Sequence, residues 1–325
     1  MIYQLKQKLG DKVKENEILA PHTTFQIGGP AKYFFEAKNN AELLKAIKAA
    51  EELKLDYFLL GGGSNILVSD KGIDKFVIKQ SNDNFKINGI KIFCESGALI
   101  IEVLDATLTA GLVGWPWAAG LPGTVGGAIR GNAGAYGEGM SDITESVEVY
   151  QNGKIKNFTN SQMGFSYRHS IAKEENLIIL SCVLKLKKGD TGQDRELVDK
   201  YNKRRQDTQP VPSQCPNPGC AFKNIDLSKT KIDKKRVMKK LDITEAEWQE
   251  ATKFGKLPIS FIFDRLGLKG KTIGGAQVSE KHAAFIINTG QARAEHVVML
   301  MSDLKMRARN ELGLALEEEI QLVGF

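Results

Sequence analysis

Two glycine-rich loops constrain this sequence more than any other feature. The first loop, residues 61–65, directly follows the apolar run 57–60, which predicts a short buried strand. The second loop, residues 122–127, is followed by another glycine-rich segment, 132–137. Glycines let a backbone approach a ligand with its N–H groups exposed, which suits a pyrophosphate. One such loop would indicate only a tight turn, but the pair favours a bound nucleotide cofactor.

Neither loop has the pattern of a common nucleotide-binding fingerprint. No Gly-x-Gly-x-x-Gly follows a predicted strand, so a Rossmann site is not indicated. The segment 270–272 imitates the end of a phosphate-binding P-loop, but Arg265 stands where its first glycine should be. The residues that we expect to contact the cofactor are Gly61, Gly62, Gly63, Ser64, Asn65, Pro122, Gly123, Thr124, Gly126, Gly127, Asn132, Ala133, Gly134 and Ala135.

Helical and strand patterns alternate along the chain. Apolar spacing predicts helices over 40–53 and 99–110, and a longer one over 294–312 that ends at Gly313. Asn152-Gly153 predicts a hairpin between 147 and 158. A last strand is predicted over 314–323, and a charged helical insert over 226–256. This mixture, with a boundary near 190–210, predicts an α+β protein of two or three domains.

The stretch between Asp105 and Arg130 has 24 uncharged residues, enough on paper to cross a bilayer. It is interrupted by six glycines and two prolines, which would leave backbone groups unpaired in lipid. We therefore expect a loop that the rest of the protein covers.

Composition is that of an ordinary globular protein. The 325 residues are 42% hydrophobic and 26% charged, with a net charge of +6 and no arginine-rich arm. We expect neither a nucleic-acid partner nor a membrane partner. Cys94 and Cys182 lie in apolar runs and are expected in the core, and the four histidines have no zinc-site spacing. Because the N-terminus has no signal core, the expected compartment is the cytoplasm.

Further motifs occur in an order that resembles one enzyme family. They include residues 24–31 (TFQIGGPA), 164–170 (GFSYRHS), 219–224 (GCAFKN), 273–283 (IGGAQVSEKHA) and 316–320 (LEEEI). With the two glycine loops, they have the order and spacing typical of UDP-N-acetylenolpyruvoylglucosamine reductases. The resemblance covers almost the whole chain and fails mainly over the insert 226–256.

The resemblance implies a vanillyl-alcohol-oxidase-type FAD-binding fold. FAD subdomains are expected over 1–80 and 81–205, and a substrate-binding domain over 206–325. The implied reaction is the NADPH-dependent reduction, through FAD, of UDP-N-acetylglucosamine enolpyruvate to UDP-N-acetylmuramate for peptidoglycan synthesis. No metal is expected, and the chain is expected to be a monomer.

Three catalytic residues follow from the resemblance. Arg168 would hold the substrate carboxylate, where a guanidinium can stabilise developing negative charge. Cys220 stands where most relatives carry a serine proton donor, and a thiol, with a pKa of about 8.5, is a stronger acid than an alcohol. Glu319 would assist protonation at the reacting carbon. Because Cys215 lies close in sequence, an inactivating disulfide with Cys220 is a further hypothesis.

Other residues are expected at the substrate. The resemblance implies substrate contacts for four of them: Tyr167, Lys223, Asn224 and His282. Thr208 stands where a lysine for the UDP phosphates is common in the family, so Arg205 or Lys203 would have to replace that contact.

Two other functions fit parts of the sequence. A sugar or alcohol oxidase of the same fold would reoxidise its flavin with oxygen, but the motifs at Arg168, Cys220 and Glu319 argue against it. A nucleotide-binding scaffold without activity would use the insert 226–256 for a partner, although such an insert is ordinarily a solvated helical hairpin.

Overall fold

The computed structural model describes residues 1–325 and has mixed α and β structure, which confirms the predicted α+β class. The helices are α1 (Ile2–Leu9), α2 (Asn40–Glu52), α3 (Ile100–Thr109), α4 (Val125–Gly131), α5 (Met140–Ile143), α6 (Thr191–Thr208), α7 (Lys234–Leu241), α8 (Glu245–Thr252), α9 (Ile259–Arg265) and α10 (Ala294–Arg307). The strands are β1 (Lys14–Ile18), β2 (Pro30–Ala37), β3 (Tyr57–Leu60), β4 (Ile66–Val68), β5 (Ile73–Gln80), β6 (Phe85–Asn88), β7 (Lys91–Glu95), β8 (Leu112–Val113), β9 (Gly134–Ala135), β10 (Glu138–Gly139), β11 (Thr144–Gln151), β12 (Lys154–Thr159), β13 (Ile178–Lys185), β14 (Lys187–Lys188), β15 (Ile225–Asp226), β16 (Lys256–Leu257), β17 (Thr272–Ile273), β18 (Ala276–Val278), β19 (Ile286–Asn288) and β20 (Gln321–Val323).

The chain forms two compact units. Unit 1 contains residues 1–17, 31–62 and 74–205, and unit 2 contains 18–30, 63–73 and 206–325. The glycine-rich loop 61–65 is therefore shared, with Gly61 and Gly62 in unit 1 and the rest in unit 2.

Unit 1 has two apolar cores. The first core lies between α1, α2 and the sheet of order β1-β2-β5-β3, in which β3 and β5 run parallel. The side chain of Asn39 accepts the amide hydrogen of Glu42 at 2.9 Å and so caps α2, which buries Leu43 and Ile47. Each fully buried aliphatic side chain of this kind stabilises the fold by roughly 1.5–3 kcal/mol.

The second core of unit 1 packs against the sheet of order β12-β11-β13-β7-β6. The predicted hairpin at Asn152-Gly153 is confirmed, since both residues have positive φ (51° and 80°) and β11 pairs antiparallel with β12. Cys94 and Cys182 are cross-strand partners and are buried, as predicted for core residues. The hydrogen bond with Cys94, together with burial, raises the pKa of the Cys182 thiol.

Unit 2 has one core, centred on α9 and α10. The long helix predicted over 294–312 is confirmed, with a π-helical last turn at Ala308–Leu312 and Gly313 in the left-handed conformation (φ 71°). Three small sheets surround the core, and in one of them β20 pairs parallel with β4. That pairing joins the residues after the first glycine loop to the end of the chain.

Two sequence-based predictions need correction. The stretch 105–130 is not simply a loop: α3 runs to Thr109, and α4 begins after Thr124, whose hydroxyl accepts a hydrogen bond from the amide of Gly127. The last strand is also shorter than 314–323, since regular pairing is confined to β20. The chain changes its pairing partner between Glu318, which bridges to Phe222, and β20, which pairs with β4, and Leu322 of β20 is 41% exposed.

The insert 226–256 is helical, as predicted. β15 and β16 pair antiparallel at its base, and α7 and α8 lie between them. Val237, Leu241 and Trp248 are buried in the core of unit 2, so the insert is packed onto that unit. No helix in the chain has the length and apolar character needed to cross a bilayer.

Candidate active site

The two glycine loops meet within unit 1. A Cβ atom added to Gly62 would lie 2.7 Å from the Cα of Gly123, well inside van der Waals contact. A Cβ on Gly61 would lie 3.1 Å from the hydroxyl oxygen of Thr124. The loops therefore touch through bare backbone, and this contact requires glycine at position 62.

Backbone pairing fixes the second loop from its other side. The amide of Ile100 donates to the carbonyl of Gly123 at 3.2 Å, and the amide of Val125 donates to Ala98 at 2.8 Å. Gly126 lies against Ser96, where a Cβ would come within 2.6 Å of the serine Cβ. The glycine at 126 therefore serves close packing, while Thr124 caps α4.

This arrangement fits the pyrophosphate of a dinucleotide. The amides of Gly61, Gly62 and Gly123 donate no backbone hydrogen bond, so their N–H groups are available to an anion. No side chain projects from any of the three positions. FAD is the cofactor whose phosphates such paired loops could hold, with the Thr124 hydroxyl between them.

In unit 2, the end of the first loop contacts the segment that carries Glu319. The Nδ2 of Asn65 donates to the carbonyl of Glu319 at 3.1 Å, and the amide of Gln321 donates to the carbonyl of Asn65 at 3.0 Å. The backbone of Gly63 lies against His22 and Thr23, and its carbonyl accepts the amide of Thr24 at 3.1 Å. A predicted cofactor residue and a predicted catalytic residue are thus in direct contact.

In unit 1, the segment 132–134 contacts the turn that carries Arg168. The Nδ2 of Asn132 donates to the carbonyl of Ser166 at 2.9 Å. The Nη1 of Arg168 donates to the carbonyl of Gly134 at 3.2 Å. Two segments that the sequence singled out separately therefore form one cluster, in which Asn132 and Gly134 have structural roles.

Arg168 lies in a strained turn. Ser166 and His169 exchange two backbone hydrogen bonds of 3.1 Å, and Arg168 between them has φ 57°. A left-handed conformation suits glycine and is unfavourable for a long side chain, and such strain is concentrated at functional sites. The guanidinium also lies over the Tyr167 ring, with its Cζ 5.2 Å from the ring centre. The backbone thus holds this side chain against the segment 132–134.

An aromatic stack lies at the tip of the adjacent hairpin, and the sequence did not predict it. Tyr136 joins β9 to β10 with φ 57°, and its ring stacks on Tyr201 of α6 at 3.9 Å between centres and 11° between planes. The guanidinium carbons of Arg204 and Arg205 lie 5.6 and 6.0 Å from the Tyr136 ring centre. Nothing in a single sequence signals this pairing, since the two tyrosines lie far apart along the chain.

Arg205 is also placed against Gly120, two residues before the second glycine loop. Its Cδ would be 3.0 Å from a Cβ added to Gly120, and it is half-buried, whereas Thr208 at the end of α6 is exposed. Of the two residues suggested to replace the missing lysine, Arg205 has this contact, while Lys203 is exposed. The replacement itself stays a prediction.

Cys220 and Glu319 belong to neighbouring extended segments of unit 2. Phe222 forms a bridge with Glu318, and the amide of Glu319 donates to the carbonyl of Ala221 at 2.9 Å. Cys220 is therefore the chain neighbour of the residue that pairs with Glu319, and its own backbone bridges to Phe285 on the other side. Both Cys215 and Cys220 are half-buried free thiols, so their disulfide also stays a prediction.

Lys223 and Asn224 already have partners within the chain. The ammonium group of Lys223 forms an ion pair with Glu317, whose side chain is 71% exposed. The Oδ1 of Asn224 accepts the amide of Ile259 at 3.1 Å, at the start of α9. Asn224 therefore positions α9, and its amide nitrogen is the group that could reach a substrate.

His282 has a buried nitrogen without a partner. Its Nδ1 makes no hydrogen bond, and its ring meets Phe285 edge to face at 4.8 Å. Burial, assisted by the charge of Lys269, lowers the pKa of His282, which is therefore neutral at pH 7. Phe285 also bridges to Cys220, so the same residue contacts this imidazole and pairs with the segment of the proposed proton donor.

Comparison with known families agrees with this organisation. Residues 31–159 match the model of an FAD-binding domain, and residues 209–323 match the C-terminal domain of UDP-N-acetylenolpyruvoylglucosamine reductase. The first match contains the loop 122–127 and the segment 132–134. The second contains Cys220 and Glu319. The fold therefore includes an FAD-binding domain, and FAD is the expected cofactor.

Similar proteins match from end to end. UDP-N-acetylenolpyruvoylglucosamine reductase of Caldanaerobacter subterraneus subsp. tengcongensis is 36% identical over all of this chain and 98% of its own. The protein of the same name from Lactobacillus delbrueckii subsp. bulgaricus is 35% identical over 99% of each chain. The crystal structure of the Thermus caldophilus reductase has a TM-score of 0.74 and 28% identity, and covers 95% of this chain and 98% of its own. The chain therefore belongs to the UDP-N-acetylenolpyruvoylglucosamine reductase family of flavin-dependent oxidoreductases.

Proposed function

We propose that this protein reduces UDP-N-acetylglucosamine enolpyruvate to UDP-N-acetylmuramate in the cytoplasm, with NADPH as the reductant and FAD as the bound cofactor. The observation that carries the proposal is the end-to-end match to reductases of that name, which includes every residue singled out for chemistry. NADPH as reductant and the residue assignments are inferences from the family and from the site.

FAD would be held where the two glycine loops touch. The backbone of Gly61, Gly62 and Gly123 would hydrogen-bond its pyrophosphate, and Thr124 would add a hydroxyl. The chemistry that FAD supplies is two-electron transfer from NADPH to the enolpyruvyl double bond. All remaining tasks belong to side chains of the protein.

Arg168 would bind the carboxylate of the enolpyruvyl group. Addition of hydride to the terminal carbon builds negative charge on the adjacent carbon and its carboxylate, and a guanidinium stabilises that charge through paired hydrogen bonds. The strained turn and the bond to Gly134 support this role, because both restrict the guanidinium before substrate arrives.

Cys220 would donate the proton to the carbon adjacent to the carboxylate. A thiol donates only while protonated, so activity should fall as the pH rises through the thiol pKa. Glu319 is one pairing step away, and its backbone is fixed on both sides by Ala221 and Asn65. That support would fix the segment of Glu319 next to the segment that carries the proton donor.

Lys223 would bind the substrate by exchanging its partner. In its ion pair with Glu317, the glutamate side chain is 71% exposed and that of Lys223 is 25% exposed, and ion pairs open to solvent contribute about 0–1 kcal/mol. A phosphate or carboxylate of the substrate could displace Glu317 from Lys223 with little loss of free energy. His282, neutral and with an unpaired nitrogen, would accept or donate a single hydrogen bond to the sugar nucleotide.

The test is product analysis with the purified, FAD-loaded enzyme. We expect one NADPH to be consumed for each UDP-N-acetylmuramate formed. Without the enolpyruvyl sugar, under nitrogen, NADPH consumption should stop at one equivalent per bound FAD. Formation of hydrogen peroxide from a sugar donor, with no such product, would favour an oxidase instead. Arg168→Met should abolish product while FAD remains bound.

A further inference from the structure

The net charge of the protein resides in one short segment. The chain has 45 basic and 39 acidic residues, which gives +6. Residues 229–240 contain seven basic residues and one acidic residue, which also gives +6. The remaining 313 residues therefore carry 38 charges of each sign and are neutral overall. No part of the proposed reaction uses this segment.

The solvent face of α7 is entirely cationic. Val237 and Leu241 are buried in the core of unit 2. At 100° per residue, the side chains opposite them belong to Lys235 and Lys239, and Arg236 and Lys240 lie along one side; all four are exposed. The helix therefore presents a continuous basic face that is fixed on the protein by its apolar side.

Only part of this charge is compensated. Lys240 pairs with Glu311 at 3.0 Å, and Arg236 donates to the carbonyls of Asn310 and Glu311 at 2.7 and 3.2 Å. Lys235 and Lys239, one turn apart, have no such partner and line a shallow depression of about 580 Å³. The acidic residues of α8 do not neutralise them, since Glu245, Glu247 and Glu250 are paired with Lys234, Arg265 and Lys253, respectively.

An exposed aromatic side chain lies at the base of the same segment. Phe254 is 81% exposed, the most among the large hydrophobic residues of the chain, and is flanked by Lys253 and Lys256. The carbonyl of Gly255 accepts the amide of Leu227 at 3.1 Å, which holds this loop beside the start of the basic segment at Lys229. A phenylalanine so exposed lacks the burial that normally stabilises it.

We infer that the basic face of α7 and Phe254 together bind an anionic phospholipid surface. Lysines attract anionic headgroups while remaining hydrated, and a neighbouring phenylalanine can enter the interface. Lysine is depleted from protein interfaces, and the segment lacks the stacked aromatics of single-strand nucleic-acid sites. The contact is peripheral, because no helix can span a bilayer. It would revise the sequence-based expectation that the chain has no membrane partner.

The test is co-sedimentation of the full-length, FAD-loaded protein with phospholipid vesicles. Vesicles of phosphatidylcholine containing phosphatidylglycerol should bind the protein, whereas pure phosphatidylcholine should not. Lys235→Gln combined with Lys239→Gln should weaken binding roughly 25-fold, at about fivefold per lysine. The matched control is Lys187→Gln combined with Lys188→Gln, which removes the same charge from exposed residues of unit 1 and should leave binding unchanged. Phe254→Ser should weaken binding at constant charge.

Several results would overturn this inference. One is failure of the wild-type protein to bind phosphatidylglycerol vesicles at low salt. Another is an equal loss of vesicle binding in the two double lysine variants, which would show that binding depends only on the net charge of the protein. Binding of duplex DNA without any binding of vesicles would assign the face to nucleic acid. Normal FAD content and turnover in the α7 variant would show that it is folded, and would separate this result from any failure of the proposed reaction.

Discussion

Substitution of Gly62 by alanine tests the contact between the two glycine loops. The new Cβ would lie 2.7 Å from the Cα of Gly123 and 3.3 Å from its carbonyl carbon, where carbon atoms ordinarily lie about 3.5–4.0 Å apart. Both neighbours are backbone atoms, so the loops would have to separate by several tenths of an ångström or more. Overpacking of this kind disfavours the closed arrangement by roughly 1–3 kcal/mol.

If FAD requires the closed arrangement, its dissociation constant should rise by roughly 5- to 150-fold in Gly62→Ala. The assay is titration of the apoprotein with FAD, followed by flavin fluorescence, with circular dichroism to confirm folding. Gly61→Ala is the matched control, since its Cβ meets no backbone atom and only the hydroxyl of Thr124, at 3.1 Å. Wild-type FAD affinity in Gly62→Ala, or equal losses in both variants, would refute the reasoning.

Four further predictions concern individual side chains. Arg168→Lys should lower kcat by roughly 100-fold without loss of FAD, because a lysine cannot form the paired hydrogen bonds; steady-state kinetics and the flavin spectrum check this. Tyr201→Ala should lower kcat while Tyr201→Phe retains it, because only the alanine variant loses the ring stack with Tyr136 that fixes the hairpin next to Arg168. Equal activity of the two Tyr201 variants would contradict this role of the stack. Cys220→Ser should remain active and lose the alkaline fall in the pH–rate profile, since an alcohol stays protonated where a thiol ionises. Burial and the charge of Lys269 lower the pKa of His282 below its ordinary value of 6.5, so the free energy of unfolding should fall as the pH drops through 6.5. Thermal melts between about pH 8 and 5 should show this dependence in the wild-type protein and a weaker one in His282→Gln.

Local chemistry explains which elements could be predicted from the sequence. Asn152-Gly153 determines a tight hairpin because both residues tolerate positive φ, and Gly313 ends the long helix for the same reason. The helices of the insert follow from short-range patterns too. These features depend on residues within a few positions of one another.

The contacts that organise the site join distant positions, and no local pattern predicts them. Asn65 reaches the carbonyl of Glu319, and the Tyr136 ring stacks on Tyr201. In the uncharged stretch 105–130, the glycines mask the short helix α4, so the sequence pattern there predicts a loop. The positive φ of Arg168 cannot be predicted from the sequence either, since arginine gives no signal for that conformation.

The most direct test of the central claim is an anaerobic visible spectrum of the purified protein. We expect NADPH to bleach the flavin band, and UDP-N-acetylglucosamine enolpyruvate, added afterwards, to restore it in the absence of oxygen. That result would establish both half-reactions on one bound cofactor. A flavin that NADPH bleaches but that only air restores, or a protein that binds no flavin even after FAD is added, would contradict the proposed function.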